Sequence, residues 1–247
     1  MSALARRDIS AYLSPGELPV PGCALSARSP VTESSLLVEL VTRYATTRGA
    51  GELATAGLRF AQEYARLLLP VSVILTTKYG VAVEAHLQNC IVTFVDGVPT
   101  RLVLRDWGGM RIYPPRLRRQ GLRLDPQPGA VTVTDDVRVM QAKALYTTLS
   151  NHLGEVVAHL VARCGVSTRA VWQHARAILE GLLTDLAADP ALLADVATDR
   201  AILLGPTLPT KAFAHMRLNP ASGGQIQPVE ACDSTSSVNN SEGFFQL

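Results

Sequence analysis

Aromatic side chains are scarce in this chain, at 5% of 247 residues. A protein that grips single-stranded nucleic acid stacks bases on such rings, so that class is disfavoured. Neither sign of charge is in excess. The formal net charge of +2 gives no bulk attraction to nucleic acid or to an anionic lipid surface. The four cysteines, Cys23, Cys90, Cys164 and Cys232, lie far apart and match no metal-ligand or iron–sulfur spacing. They read as reduced thiols of a cytoplasmic protein. A long apolar run is lacking too: the richest, Leu67 to Leu75, is short and contains Pro70, which speaks against a membrane span. The opening MSALARRDISAYLSPGELPVPG has no apolar segment after its Arg pair and does not read as a secretory signal.

What is present suits a soluble globular core, with 47% hydrophobic and 18% charged residues in a length that makes one sizeable domain or two small ones. Residues 1–30, rich in Pro, Gly and Ser, read as a linker or ragged boundary. Leu36, Leu37, Leu40, Val41 and Tyr44 form one helical face behind the caps Thr32 to Ser35 and ahead of Gly49. A second helix is expected from Glu52 to Leu69. Pro70 either kinks it or starts a new one that carries the chain to Tyr79, with Gly80 as cap. Tyr113-Pro114-Pro115 should stop regular structure, and Arg116, Arg118, Arg119 and Arg123 form a basic run in a loop that is either solvated or attracts an anionic substrate. One long helix is expected over Val137 to Arg163, then Ala170 to Leu186, then Ala191 to Ala201 behind Asp189-Pro190. His152 and His159 share a face of the long helix and read as hydrogen-bonded, partly buried rings, since no third ligand is supplied locally. Residues 221–247 lack periodicity and read as disordered. The fold class is α+β, predominantly helical.

The chemistry gathers between Tyr79 and Arg111, YGVAVEAHLQNCIVTFVDGVPTRLVLRDWGGMR. Ile91 to Val95 and Thr100 to Leu104 alternate like strands, and Asp96-Gly97 between them is a hairpin-turn signal. Closing that hairpin returns Asp106 to the neighbourhood of Asn89, so Glu84, His86, Gln88, Asn89 and Asp106 converge where strands end and loops begin. Carboxylate and amide oxygens suit magnesium and its phosphates, and His86 can donate to a developing negative charge. The same pattern also fits a hairpin whose ends carry solvated polar residues.

These strings, Y-G-V-A-V-E-A-H-L-Q-N, the hairpin, and L-R-D-W-G-G-M-R-I, resemble the palm-domain signature of the NRPS-independent siderophore synthetases, the IucA/IucC family. The resemblance implies a palm-type domain over residues 31–220, with the β-hairpin carrying the site. It implies ATP-dependent joining of a carboxylic acid, of citrate or succinyl type, to an amine or alcohol through an acyl-adenylate, with ATP and Mg2+ as cofactors. Position by position, His86 becomes the catalytic residue, and Glu84, Gln88, Asn89 and Arg105 bind nucleotide or substrate. Glu84 and Asp106 hold the metal. The K-A-x-x-x-M-R-L string adds Lys211 as a further substrate-binding residue, its alternative being a surface lysine. Family members are about twice as long or more, so the chain would be the C-terminal portion of an incomplete or split synthetase. Its partners would be a separate N-terminal half chain or a second copy, and neither nucleic acid nor membrane.

Two other classes stay open. One is a kinase-like phosphotransferase of small molecules, although no Asp stands two residues after His86 and no Gly-rich loop precedes it. The other is a non-catalytic or ferric-siderophore reductase-like iron-uptake protein of FhuF type, for which the scattered cysteines supply no iron–sulfur cluster.

Overall fold

A computed structural model describes residues 8–126 and 130–205. Strand β1 (Leu18–Pro21) is followed by helices α1 (Leu36–Arg48) and α2 (Leu53–Tyr79). Short β2 (Val81–Ala82), the hairpin β3 (Cys90–Val95) and β4 (Val98–Leu104), and short β5 (Arg111–Ile112) come next. The remainder is helical: α3 (Pro114–Arg119), α4 (Val137–Leu145), a π-helical segment (Tyr146–Gly154), α5 (Glu155–Cys164), α6 (Thr168–Leu186) and α7 (Leu193–Leu203). The expected α+β, mainly helical class is what the chain adopts. Among the described residues no helix is long and apolar enough to cross a membrane.

Helix α2 is the axis. Its buried face, including Phe60, Ala61, Tyr64, Leu68 and Val73, meets α1 and the sheet on one side and α5 and α6 on the other. The sheet reaches it through Phe94, whose ring stacks on Phe60 at 6.1 Å, while Tyr44 of α1 meets Phe60 edge-on at 5.8 Å. Pro70 neither ends nor splits the helix. It costs one backbone hydrogen bond, but Leu68, Leu69 and Val73 around it are all buried, and that packing holds the helix continuous.

Sheet order is β1-β3-β4, all antiparallel. The turn is the one Asp96-Gly97 announces: both residues have positive φ, 50° and 82°, the type I′ signature. Gly97 is also needed for space, since a Cβ there would run into the Leu40 carbonyl and the Tyr44 amide.

Order begins earlier than composition suggests. Within the stretch read as linker, Leu18–Pro21 pairs with β3, Leu18 opposite Phe94 and Val20 opposite Val92. Pro19 and Pro21 are tolerable because β1 is an edge strand, where a missing donor can face outward. Glu17 fastens this segment: its carboxylate accepts from Arg101 Nε at 2.9 Å, Thr93 Oγ1 at 3.1 Å and the Ser14 amide at 2.7 Å. The Arg101 guanidinium, with these hydrogen bonds, holds the Glu17 pKa down to about 2.

The basic run after Tyr113 corrects another expectation. Pro114 and Pro115 open a short helix instead of ending structure, proline being tolerated in a first turn. Arg116 is neither solvated nor free for an anion. It is 1% exposed and bidentate to Asp199, at 2.7 and 2.8 Å, and donates to the Thr76 carbonyl at 3.0 Å. Arg119 pairs with Asp195 nearby. This clamp ties α3 to α7 and to the end of α2. Asp199→Ala should cost about 1.5–3 kcal/mol, because the buried guanidinium loses both hydrogen bonds to Asp199 and keeps only Asp195, 3.2 Å from its Nε, as counter-charge; the check is the guanidinium unfolding midpoint.

The long helix expected over Val137 to Arg163 is one continuous path, but its centre is π-helical for nine residues. Gly165 ends it with a left-handed φ of 71°. Lys211 and the tail 221–247 lie outside the described residues.

Candidate ligand site

The cavity lies between two antiparallel ladders. Gly80, left-handed at φ 68°, stops α2 and turns the chain into β2. β2 pairs with β5, Val81 opposite Ile112 and Ala82 opposite Arg111. β3 pairs with β4, Cys90 opposite Leu104. Residues 83–89 and 105–110 are therefore the two strips joining one ladder to the other. The Arg105 amide donates to the Asn89 carbonyl at 3.0 Å, which closes the hairpin end as the sequence pattern requires.

A cavity of about 600 Å³ opens there, lined by Glu84, His86, Gln88, Asn89, Asp106, Trp107, Gly108 and Gly109. Five residues expected from the sequence thus meet in one place. Along the first strip the pleat alternates: Val83 and Ala85 are buried, Glu84 and His86 half-buried. That period of two turns Glu84 and His86 to the same side. His86 then precedes a 3-10 turn, Leu87–Asn89, which places Gln88 at the surface and Asn89 in a buried position. Asp106 sits with left-handed φ of 62°, an uncommon conformation for a residue with a side chain, though Asp is among those enriched in it.

Arg105 is placed differently from the expected ligand contact. It does not line the cavity; its guanidinium donates twice to the Gln88 carbonyl, at 3.1 and 2.7 Å, and lies 4.0 Å from Asp106. Its observed part is to fasten the second strip to the first.

Several contributors escaped the sequence reading. Lys143 of α4, 8% exposed, forms an ion pair with Glu84. Its only signal was a lysine set among Met140, Ala144 and Leu145 on an apolar face. Gly109 belongs to the Gly108-Gly109 pair that the sequence marks as a close backbone approach to a ligand, but the group it makes room for is Glu84: a Cβ there would overlap the Glu84 carboxylate. Gly109→Ala should therefore push Glu84 off Lys143 and lower stability by about 1–3 kcal/mol, the cost of stranding a buried polar partner. An unshifted urea midpoint would contradict this. Trp107, 50% exposed at the rim, adds an indole ring beside the His86 imidazole among the described lining residues.

His152 is buried, as expected, and fully so at 0% exposure. Its Nδ1 meets the Ala85 carbonyl at 2.8 Å and its Nε2 the Tyr64 hydroxyl at 2.7 Å. Because a carbonyl only accepts, Nδ1 carries the proton and Nε2 accepts from Tyr64. Burial draws the His152 pKa down to about 4, so the ring is neutral. His159 meets Ser35, the α1 cap, at 2.7 Å. Cys90 lies against the site, but burial pushes its thiol up to about 12, which removes it as a nucleophile.

Among the described residues no group of three or more His, Cys, Asp or Glu could hold a metal by itself. The donor set suits magnesium only in company with phosphate oxygens, its ordinary habit. Both carboxylates have a cation near them, Glu84 the Lys143 ammonium and Asp106 the Arg105 guanidinium at 4.0 Å.

Comparison with known proteins puts this arrangement in context. The family model described as ferric iron reductase FhuF-like transporter matches residues 58–226. The D-ornithine–citrate ligase of Staphylococcus aureus is 29% identical over 190 residues, covering 75% of this chain and 29% of the ligase. Staphyloferrin A synthase of the same organism is 24% identical over 159 residues, covering 64% of this chain and 26% of the synthase. Among solved structures, the petrobactin biosynthesis protein AsbB of Bacillus anthracis superposes with a TM-score of 0.67 at 18% identity, over 92% of this chain and 35% of AsbB. ATP-bound aerobactin synthetase IucA of Klebsiella pneumoniae superposes with a TM-score of 0.62 at 22% identity, over 79% of this chain and 34% of IucA. The chain spans about a third of the length of these relatives. With more than half of its residues matched by the family model, the chain belongs to the FhuF-like family, and it is similar to the C-terminal part of the NRPS-independent siderophore synthetases.

Proposed function

We propose that this chain supplies the palm wall of an ATP-dependent ligase site in siderophore assembly, joining a carboxylic acid to an amine or alcohol. The observation that carries the reading is the convergence of Glu84, His86, Gln88, Asn89 and Asp106 on one cavity between two ladders. ATP would supply the activation of the acid, and Glu84 and Asp106 are the residues that would hold magnesium beside the phosphates. His86 orients the carboxylate and donates a hydrogen bond to charge developing on its oxygen. Asn89 and Gln88 present amide donors and acceptors that fix the nucleotide or acid at the rim. Lys143 stands behind Glu84 and limits the net negative charge that an incoming carboxylate meets. Lys211 is a further candidate contact.

Support comes from the relatives, one named D-ornithine–citrate ligase and another staphyloferrin A synthase, and from the ATP-bound state of one structural neighbour. Because this chain matches about a third of each, the remaining wall is expected from a further polypeptide, either covalently continuous or separate. The reductase reading suggested by the family description has less behind it. Cys23, Cys90 and Cys164 are all free, two of them buried, and none joins a ligand group among the described residues.

Product analysis separates the classes. Incubated with MgATP, citrate and an amine, alone and with a chain equivalent to the other two thirds of a relative, the protein should release AMP and pyrophosphate. Release of ADP would move the assignment to a phosphotransferase, and no nucleotide turnover in either setting would overturn it.

A further inference from the structure

The strip that carries Glu84 and His86 is gripped from behind at three consecutive residues, all by one helical path. Lys143 pairs with the Glu84 carboxylate. Thr147 Oγ1 lies 3.3 Å from the Val83 carbonyl, while also bonding Lys143 and Ala144 carbonyls of its own helix at 2.9 and 3.2 Å. His152 Nδ1 donates to the Ala85 carbonyl at 2.8 Å. In an α-helix, four residues advance by about 400° and leave the side chain near its starting face, but five advance by about 500°, roughly 140° away. Thr147 and His152 are five apart. They can face one strip only because the path between Tyr146 and Gly154 is π-helical, where residues i and i+5 are paired and stack.

Isolated π turns are rare and concentrate where a helix serves a site. Here the consequence is visible. Anchoring the carbonyls of Val83 and Ala85 sets the plane of the strip, and the pleat then decides where the alternate side chains, Glu84 and His86, project. His152 cannot touch a ligand itself: it is wholly buried, and its second nitrogen is taken by Tyr64 of α2. From this geometry we propose that His152, delivered by the π-helical segment, is a positioning residue that aims His86 into the cavity through the Ala85 carbonyl.

The proposal rests on the ligase reading only for what the cavity binds, and its test has a ligand-free arm. The Cε1–H signal of His86 in 1H–13C spectra, assigned by its loss in His86→Gln, reports the surroundings of that ring directly. His152→Gln removes the donor at the Nδ1 position and should move or broaden the His86 signal, and weaken MgATP binding about 10-fold, a scale ordinary for a misplaced site group. His152→Asn, whose side-chain amide nitrogen takes the place of Nδ1, should restore both to within about 3-fold of wild type. A core variant remote from the strip, Val41→Ala, lowers stability without moving the His86 signal, which separates aiming from general loosening. Thr147→Val, nearly isosteric, is the second probe and the deciding one should His152→Gln fail to fold; it should also displace the His86 signal. An unmoved His86 signal in folded His152→Gln or Thr147→Val overturns the proposal, as does His152→Asn behaving no better than His152→Gln. Absence of MgATP binding by wild type, alone and with a chain equivalent to the other two thirds of a relative, contradicts the ligase reading alone, because the His86 signal still decides the positioning role.

Discussion

His86→Ala should lower acid-dependent AMP release by about 100-fold or more, the usual contribution of a positioned acid–base or oxyanion-stabilising group, while leaving the fold intact. The structural half of this expectation follows from where the ring sits. His86 is half-buried at the cavity, and the neighbouring contacts that hold the chain are made by backbone atoms: its own carbonyl accepts from Asn89 at 3.0 Å, and the Ala85 carbonyl accepts from His152. Truncating the side chain leaves both in place. Far-UV circular dichroism and the melting midpoint should therefore match wild type while product formation disappears. Turnover unchanged in His86→Ala would remove this residue from the chemistry.

The largest stability effect should come from His152→Ala. The ring fills a wholly buried position between Tyr64 and Ala85. Its removal leaves a cavity and two buried polar groups without partners, together about 3–5 kcal/mol. The pH dependence carries a sharper signature. The folded-state pKa is depressed from 6.5 to about 4, so below pH 6.5 the unfolded chain takes up a proton that the folded chain refuses. Stability from the neutral ring is thus fully present above about pH 6.5 and lost as pH falls towards 4, by up to about 3 kcal/mol. The hydroxyl facing the ring does not mimic this: burial raises the Tyr64 pKa well above its ordinary value and leaves it neutral throughout. Urea unfolding at pH 7.5 and 5 should show a fall in wild type that is much smaller in His152→Ala. Parallel falls in the two proteins would mean that the ring is not buried neutral.

How much of this was legible follows from the range of each signal. The hairpin was readable because its strands, its turn and its flanking polar residues lie within about thirty positions, and Asp96-Gly97 admits few other conformations. The convergence of Asp106 on Asn89 followed from that closure alone. Contacts across longer separations left no trace. Nothing in Tyr146 to Gly154 distinguishes i→i+5 pairing from an α-helix, since the same apolar residues suit both and packing against the Val83–Ala85 strip decides. Arg116 looked like one of a basic run until Asp199, 83 positions on, supplied its counter-charge. Pro19 and Pro21 argued against a strand by propensity, and only an edge position beside β3 accommodates them. Arg105 was recognised as belonging to the site, but its attachment to the Gln88 carbonyl depends on a side-chain direction that sequence does not encode.

The central claim is that the residues brought together between the two ladders bind one ligand. Titrating 15N-labelled protein with MgATP and following amide and side-chain shifts tests it most directly. Shifts concentrated at residues 84–89 and 106–109, with the Gln88 and Asn89 side-chain amides among them, are the expected result. Shifts gathered elsewhere, such as the groove where His159 meets Ser35, or a spectrum that MgATP leaves unchanged both alone and with a chain equivalent to the other two thirds of a relative, would contradict it.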